Sequence, residues 1–128
     1  MAGTLAITYS ETREIKKVIN NWTSDASGDC TGNLKSLSGE IVRVGFAPST
    51  DSAPSSNYDI VLNDEEGFDV LNGAGANLSA TVKAQYFPAM VDYLVGYAIP
   101  VAFDGILSLV VSNAGNVKKG KIILHIRK

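Results

Sequence analysis

Residues 57–77, NYDIVLNDEEGFDVLNGAGAN, hold the clearest strand of the chain. Tyr58, Ile60 and Leu62 alternate with three residues that are mostly polar. This period of two is typical of a strand that buries one face and leaves the other in solvent. We therefore expect the side chains of Tyr58, Ile60 and Leu62 to enter a hydrophobic core.

A turn follows this strand at residues 63–67, NDEEG. Asn and Asp side chains bond nearby backbone N–H groups, and Gly67 adopts a positive φ at no steric cost. Phe68, Val70 and Leu71 then resume the apolar pattern until residues 72–76 interrupt it. The stretch as a whole predicts a β-hairpin.

Composition predicts one folded domain over residues 1–128. The chain has 45% hydrophobic and 19% charged residues, which is ordinary for a globular protein. Its 11 basic and 13 acidic residues give a formal charge of -2, so no overall positive charge points to nucleic acid as a partner.

Other runs rich in β-branched and aromatic residues predict further strands. Residues 14–23 also fit a helical stripe, but Ile, Val, Trp and Thr favour a strand and two central asparagines disfavour a helix, so we predict a strand. Residues 24–39 predict a long exposed loop with a short strand near 34–37. We expect further strands at residues 4–9, 40–47 (ending at Pro48), 106–112 and 121–127.

The last two of these runs flank the turn residues 113–120, which predicts a second hairpin. Between the hairpins, residues 78–84 fit one helical turn and residues 85–90 a strand interrupted by Pro88. With seven to nine short strands and almost no helical pattern, the expected fold class is all-β, an antiparallel β-sandwich or barrel.

The segment 93–103 is the predicted interface. It combines aromatic and aliphatic residues with a proline that limits any strand to an edge or bulge. Such a composition suits a contact between subunits better than a solvated loop. The predicted interface residues are Tyr93, Leu94, Tyr97, Ile99, Pro100 and Phe103.

Catalytic motifs are absent from the sequence. Cys30 has no partner for a disulfide, and with one histidine there is no zinc set. No serine nucleophile elbow, Walker A loop or dinucleotide-binding turn occurs. We expect Cys30 to be a loop residue without a role, and His125 to be a strand residue facing solvent or a neighbouring subunit. The chain is predicted to be no enzyme and to need no cofactor.

Two charged clusters stand out. The acidic turn, Asp64, Glu65, Glu66 and Asp69, lacks EF-hand spacing, because aligning Gly67 with the loop glycine puts Leu62 and Gly73 at ligand positions. We expect a solvated turn rather than a cation site. The basic end comprises Lys118, Lys119, Lys121, Arg127 and Lys128. It suggests subunit contacts or nucleic acid, although exposed lysines commonly serve only solubility and edge protection.

The apolar run 93–111 is too interrupted to cross a membrane, and residues 1–17 lack the pattern of a secretory signal. We therefore expect synthesis in the cytoplasm and no membrane partner.

Several stretches together resemble small virion structural proteins of tailed bacteriophages. They are the MAGTL start, WTSDASG at 22–28, NYDIVLNDEEGFDVL at 57–71, GAGAN at 73–77, IPVAFDG at 99–105 and LSLVVSNAGN at 107–116, followed by the lysine-rich ending. These motifs are turns and strands, so the resemblance indicates a virion more strongly than a position within it.

The resemblance implies a decoration or cement protein on the outer surface of the phage head. Such a protein binds the major capsid protein at subunit junctions, often as a symmetric oligomer, with a trimer favoured here. Binding to the folded shell stabilises the shell by mass action. An alternative is an adaptor or tip protein of the tail or neck. Another is a carbohydrate-binding module in which Trp22, Tyr58 or Tyr97 stacks on sugar.

Overall fold

A computed structural model describes residues 3–87, 89–91, 96–98 and 101–128. These residues form strands and turns and contain no helix, so the predicted all-β class is confirmed. The strands are β1 (Thr4–Glu11), β2 (Ile15–Thr23), β3 (Cys30–Asn33), β4 (Leu37–Pro48), β5 (Asp59–Asn63), β6 (Ala84–Tyr86), β7 (Ala89–Val91), β8 (Gly96–Ala98), β9 (Val101–Gly105), β10 (Ser108–Ser112) and β11 (Lys119–Arg127).

The strands form antiparallel sheets packed as a β-sandwich. The larger sheet has the order β1-β2-β11-β4-β6, with β9 also pairing with β4. The smaller sheet has the order β3-β10-β5, and β7 and β8 pair with each other. The described strands outnumber the predicted seven to nine, because β6, β7 and β8 have three residues each and carry too little periodicity to be seen in a sequence.

The core lies between the two larger sheets. Alternate residues of β11 enter it from one side, and alternate residues of β5 and β10 from the other. The rings of Trp22 and Tyr58 meet across the core with centroids 5.6 Å apart. As predicted, Tyr58, Ile60 and Leu62 are buried, together with Val18, Val44, Phe46, Leu109, Val111, Ile122, Leu124 and Ile126.

A β-bulge in β4 keeps its side chains aligned with the core. Ile41 and Val44 are both buried although they are three residues apart, which a regular strand does not allow. The pairing shifts between His125 and Ile126 of β11, and Val42 is the extra residue on the β4 side. The added residue restores the alternation, so β4 contributes to the core along its length.

The first predicted hairpin forms only at its turn and at a single antiparallel bridge between Asn63 and Asp69, and no second strand follows. The turn at 64–67 forms as expected, with the Asp64 N–H bonded to the Phe68 carbonyl at 2.9 Å and Gly67 at φ 89°. The chain beyond it returns as a series of turns, and β5 pairs with β10 instead. The returning segment covers the side of β5, where the N–H of Ile60 donates to the carbonyl of Gly75 at 2.7 Å.

The second predicted hairpin is also wrong, because β10 and β11 belong to different sheets. Asn113, Gly115 and Val117 between them have positive φ values, which turn the chain from one sheet to the other. Ser24 fixes this crossing: its hydroxyl donates to the Gly115 carbonyl at 2.6 Å and accepts the Lys118 N–H at 2.8 Å. Both strands alternate regularly, and alternation does not reveal the partner strand.

Three smaller predictions need correction. The loop 24–39 contains β3 at Cys30–Asn33 rather than a strand at 34–37, so Cys30 is a buried strand residue. Pro48 is the last residue of β4, where the predicted strand ended at Ala47. Residues 78–84 form no helical turn: Leu78 makes a single bridge with Tyr58, residues 80–82 bend, and Ala84 begins β6. Pro88 lies outside the described residues.

Two glycines in the larger sheet give a matched test of core packing. A Cβ at Gly120 lies 2.5 Å from the Trp22 ring, whereas a Cβ at Gly45 has only the Ile123 Cβ nearby, at 3.9 Å. Overpacking of a filled core typically costs about 1–3 kcal/mol. We expect Gly120→Ala to lower the free energy of unfolding by that amount in urea titrations and Gly45→Ala to leave it nearly unchanged. Equal stability of the two variants would contradict the packing of Trp22 on Gly120.

Candidate interaction surface

The larger sheet turns one face to the core and the other to solvent. We call the second one the outer face. It is defined on the three central strands by the residues that alternate with the buried ones. These are Lys17, Ile19 and Asn21 of β2, Lys121, Ile123 and His125 of β11, and Arg43, Gly45 and Ala47 of β4.

The strand register arranges these nine residues in three rows. Ile123 lies between Ile19 and Gly45 and forms an apolar centre. His125 lies between Lys17 and Arg43 in the next row, and Lys121 lies between Asn21 and Ala47 in the row on the other side. Paired residues on neighbouring strands are about 5 Å apart, so the rows form a continuous flat surface.

The outer face is positively charged. Lys17, Arg43 and Lys121 flank its apolar centre, and none of the nine residues is acidic. Beyond Lys121 the face continues into an open cleft of about 510 Å³, lined by Thr4, Thr50 and other polar residues and by two more lysines, Lys83 and Lys119. An apolar strip within a cationic border fits a flat partner surface that carries carboxylates around apolar groups.

His125 occupies the middle of one cationic row. Its pKa is lowered below the usual value of 6.5, first by desolvation and then by the positive charges of Arg43 and Lys17. Its Nδ1 atom is buried without a hydrogen-bond partner among the described residues. A catalytic imidazole requires a group that orients it, and the groups beside this ring are cations. His125 lies on the face where the sequence analysis expected it, half-buried rather than fully in solvent.

The lowered pKa of His125 predicts a pH dependence of stability. In the unfolded chain His125 has its usual pKa of 6.5, and in the folded chain its pKa is lower. The contribution of neutral His125 to stability is therefore fully present above pH 6.5 and is lost as the pH falls below that value. We expect the melting temperature to fall between pH 7 and pH 5, and to fall less in His125→Gln. Carboxylates whose pKa is lowered, such as Glu11 and Asp25, act at lower pH. Identical profiles for the two proteins would exclude His125 as the cause.

The acidic turn binds its own backbone. Asp64 Oδ1 accepts the N–H groups of Glu66 and Phe68 at 3.0 and 2.9 Å. Glu65 Oε1 accepts the N–H of Ile106 at 2.8 Å and so ties the turn to the connection between β9 and β10. Within the described part of the chain, no group of three or more acidic, His or Cys residues is placed to hold a metal ion.

Asp69 is the most heavily bonded of these carboxylates. Its Oδ1 accepts the N–H groups of Leu62 and Leu71 at 3.2 and 3.0 Å, and its Oδ2 accepts that of Gly73 at 3.0 Å. These bonds hold the turn segment against the edge of β5. The Asp69 carboxylate therefore accepts N–H groups on the side of β5 where the hairpin prediction placed a second strand.

Removal of the Asp69 carboxylate leaves three N–H groups without their acceptor. Loss of the acceptor for a partly buried N–H typically costs about 1–3 kcal/mol. We expect Asp69→Ala to lower the free energy of unfolding by this amount or more in urea titrations. Glu66→Ala, at an exposed position of the same turn, is the matched control and should be neutral. Loss of stability in both variants would point to the charge of the turn rather than to the bonds of Asp69.

The basic residues near the C-terminus lie in two different environments. Arg127 pairs with Glu40, and Lys128 pairs with Glu11 at 2.7 Å. Lys119 and Lys121 instead line the cleft on the outer face. Lys119 and Lys121 thus lie on the same surface as Lys17 and Arg43, although these residues are far apart in the sequence.

The predicted interface residues fall mostly outside what the structure describes. Tyr93, Leu94, Ile99 and Pro100 lie outside the described residues, and Tyr97 belongs to β8. Phe103 packs in the core of its own chain.

Two of the three rings predicted to stack on sugar are not on the surface. Trp22 and Tyr58 are each only 1% exposed, and burial raises the pKa of Tyr58 to about 12. These two rings cannot stack on a carbohydrate, and the prediction that they do is wrong.

Sequence reasoning missed the outer face as a unit. Each strand shows its own alternation, and Lys17, Arg43 and Lys121 occupy the polar positions of that alternation. The pairing of β11 with both β2 and β4 brings them together, and this pairing was not predicted.

Comparison with known proteins gives one structural likeness. No protein-family description and no curated protein matches the chain. The enzymatically active domain of tailspike protein 4 from bacteriophage CBA120 is similar with a TM-score of 0.37 and 14% sequence identity. The likeness covers 98% of this chain and 19% of the tailspike chain. A TM-score of this size does not establish a shared fold.

The described residues include no helix long and apolar enough to span a membrane.

Proposed function

We propose that this chain is a structural protein of a tailed-bacteriophage virion that acts by adhesion to neighbouring protein subunits. Two independent lines support the proposal. The first is the resemblance of the turns and strands at residues 22–28, 57–77 and 99–116 to small virion proteins. The second is the outer face, which is the observation that carries the proposal.

The outer face has the properties that adhesion requires. A sheet bonded through three central strands is a rigid platform, so little conformational entropy is lost when it binds. Ile19 and Ile123 supply apolar area at its centre, while Lys17, Arg43 and Lys121 select an acidic partner and fix the orientation of docking. The partner that fits is an acidic, flat surface formed by folded subunits of the virion.

Adhesion accounts for the polar groups better than turnover does. The carboxylates of Asp64, Glu65 and Asp69 already accept backbone N–H groups. Desolvation, and then the cations on both sides, lower the pKa of His125, and neither orients the ring. The proposal therefore assigns no reaction and no cofactor to the chain.

Two positions in the virion are consistent with this role. As a decoration protein, the chain binds the major capsid protein on the outer surface of the head and reinforces the junctions between capsid subunits. As an adaptor or tip protein of the tail or neck, it joins rings of other components. Association as a symmetric oligomer through residues 93–103, with a trimer favoured, is part of the first version.

Rebinding to stripped particles tests the role. Particles of the phage that encodes the chain are stripped with mild denaturant and incubated with recombinant protein, and the bound protein is measured by gel densitometry. We expect Lys17→Glu/Arg43→Glu to lose at least about tenfold in affinity, because both substitutions reverse charge on the outer face. Arg13→Glu, which reverses an exposed charge in the β1–β2 turn, is the matched control.

Copy number in the untreated particles decides the position. An abundance near that of the major capsid protein indicates decoration, and a ring of few copies indicates the tail or neck. Absence of the chain from purified particles would reject the virion role, and equal loss of binding in both charge variants would reject the outer face as the binding surface.

A further inference from the structure

Strand β1 has an unpaired edge. It is the outermost strand of the larger sheet and pairs only with β2 among the described strands. Its eight residues, Thr4–Glu11, form one of the longer strands of the fold. β3 lies beside the Thr4 end of β1, where the Cys30 thiol donates to the Thr4 carbonyl at 3.3 Å, but no described strand pairs with this side of β1. The remaining N–H and C=O groups on that side are available to a further strand.

The other sheet edges are short or covered. β3 has four residues, β6 has three, and β9, which pairs only with β4 among the described strands, has five. The side of β5 is closed by the turn segment that follows it, through the bonds from Ile60 to Gly75 and from Val70 to Leu62 at 2.7 and 2.8 Å. Only β1 combines length with an open side within the described residues.

Natural edge strands usually carry features that prevent pairing, such as lysine, proline, a bulge or an inward charge. Residues 4–10, TLAITYS, contain none of the residues that do this. The pairing of β1 with β2 is regular from Thr4 to Glu11, without a bulge. Its composition of β-branched, aromatic and small residues favours strand pairing.

The core side of β1 is incompletely covered. Leu5, Ile7 and Tyr9 pack against the core but remain partly exposed, whereas Val18 and Trp22 on the adjacent strand are buried. A further strand beside β1 would extend the sheet and cover the exposed flanks of these three side chains. The same pairing would form backbone hydrogen bonds and bury apolar surface.

We propose that β1 pairs with β1 of a second copy of this chain, antiparallel, about a two-fold axis at Ile7. This register places Ile7 opposite Ile7 and Leu5 opposite Tyr9 on the core side. Ala6 lies opposite Thr8 and Thr4 opposite Ser10 on the outer side. The two larger sheets join into one continuous sheet, with both cores on the same side.

The second copy is favoured as the occupant because the edge is complementary to itself. In the proposed register, apolar residues meet apolar ones and small or polar residues meet each other, as favourable cross-strand pairs require. The nearest charged residues, Glu11 and Lys35, lie at the Tyr9 end of the strand. The two-fold axis puts the corresponding residues of the other copy at the opposite end, so like charges stay apart.

This pairing does not depend on the virion role. It produces a dimer or assemblies with an even number of chains, whereas the oligomer expected from the phage resemblance is a trimer. It also leaves the outer face free, because β1 pairs through its edge. The two proposals therefore fail separately.

Sedimentation velocity over a concentration series tests the pairing. We expect a reversible dimer of the wild-type chain, and an increase of at least about tenfold in the dissociation constant of Thr8→Lys, because lysine on an edge opposes pairing. The matched control is Thr81→Lys, which adds the same charge at an exposed bend before β6, at the opposite edge of the larger sheet. Far-UV circular dichroism confirms that each variant is folded.

Oxidative cross-linking tests the register. Residues that face each other across an antiparallel pair have Cα atoms about 4.5–5.5 Å apart, within the range of a disulfide. Cys30 is a free cysteine beside β1, so both variants are made in a Cys30→Ala background. Ile7→Cys should then form an intermolecular disulfide at position 7, and Leu5→Cys, which faces Tyr9, should form far less. A monomer at every concentration, or a dimer weakened by Thr81→Lys and not by Thr8→Lys, would overturn the proposal. Equal cross-linking at both positions would overturn the register.

Discussion

The register of β11 between β2 and β4 determines both surfaces of the larger sheet. Ile122, Leu124 and Ile126 are fully buried, while Lys121, Ile123 and His125, which alternate with them, face outward. Because side chains alternate with a period of two, a shift of one residue would bury a lysine and expose the core residues. The core and the cationic outer face are thus fixed by the same hydrogen bonds, and neither can change without the other.

Local pattern predicted the fold class and the individual strands, but it did not predict which strands pair. Tyr58, Ile60 and Leu62 were correctly assigned to the core, because their alternation depends only on neighbours in sequence. The partner of β5 is β10, about fifty residues later, and nothing local distinguishes it from the segment after the turn. Both hairpin predictions failed for this reason, since a turn shows that the chain reverses without showing which strand it joins.

The functional surface was predictable only in its parts. The acidic turn was conspicuous in sequence, yet its carboxylates are engaged with backbone N–H groups that the sequence does not reveal. The cations of the outer face were inconspicuous because they are spread over strands far apart in the chain. Trp22 was a candidate for stacking on sugar because it is aromatic, and the structure places it in the core against Gly120. Composition alone did not separate a core aromatic from an exposed one.

Net charge also concealed how the charges are distributed. The formal charge of -2 argued against an electrostatic partner, but a sum over the chain says nothing about position. Lys17, Arg43 and Lys121 lie on the outer face of the larger sheet, while Asp59, Asp64 and Asp69 belong to the smaller sheet and its turn. The core separates the two groups. A weakly acidic chain can therefore present a cationic surface to a partner, because the antiparallel pairing of β2, β11 and β4 brings together charges that the sequence scatters.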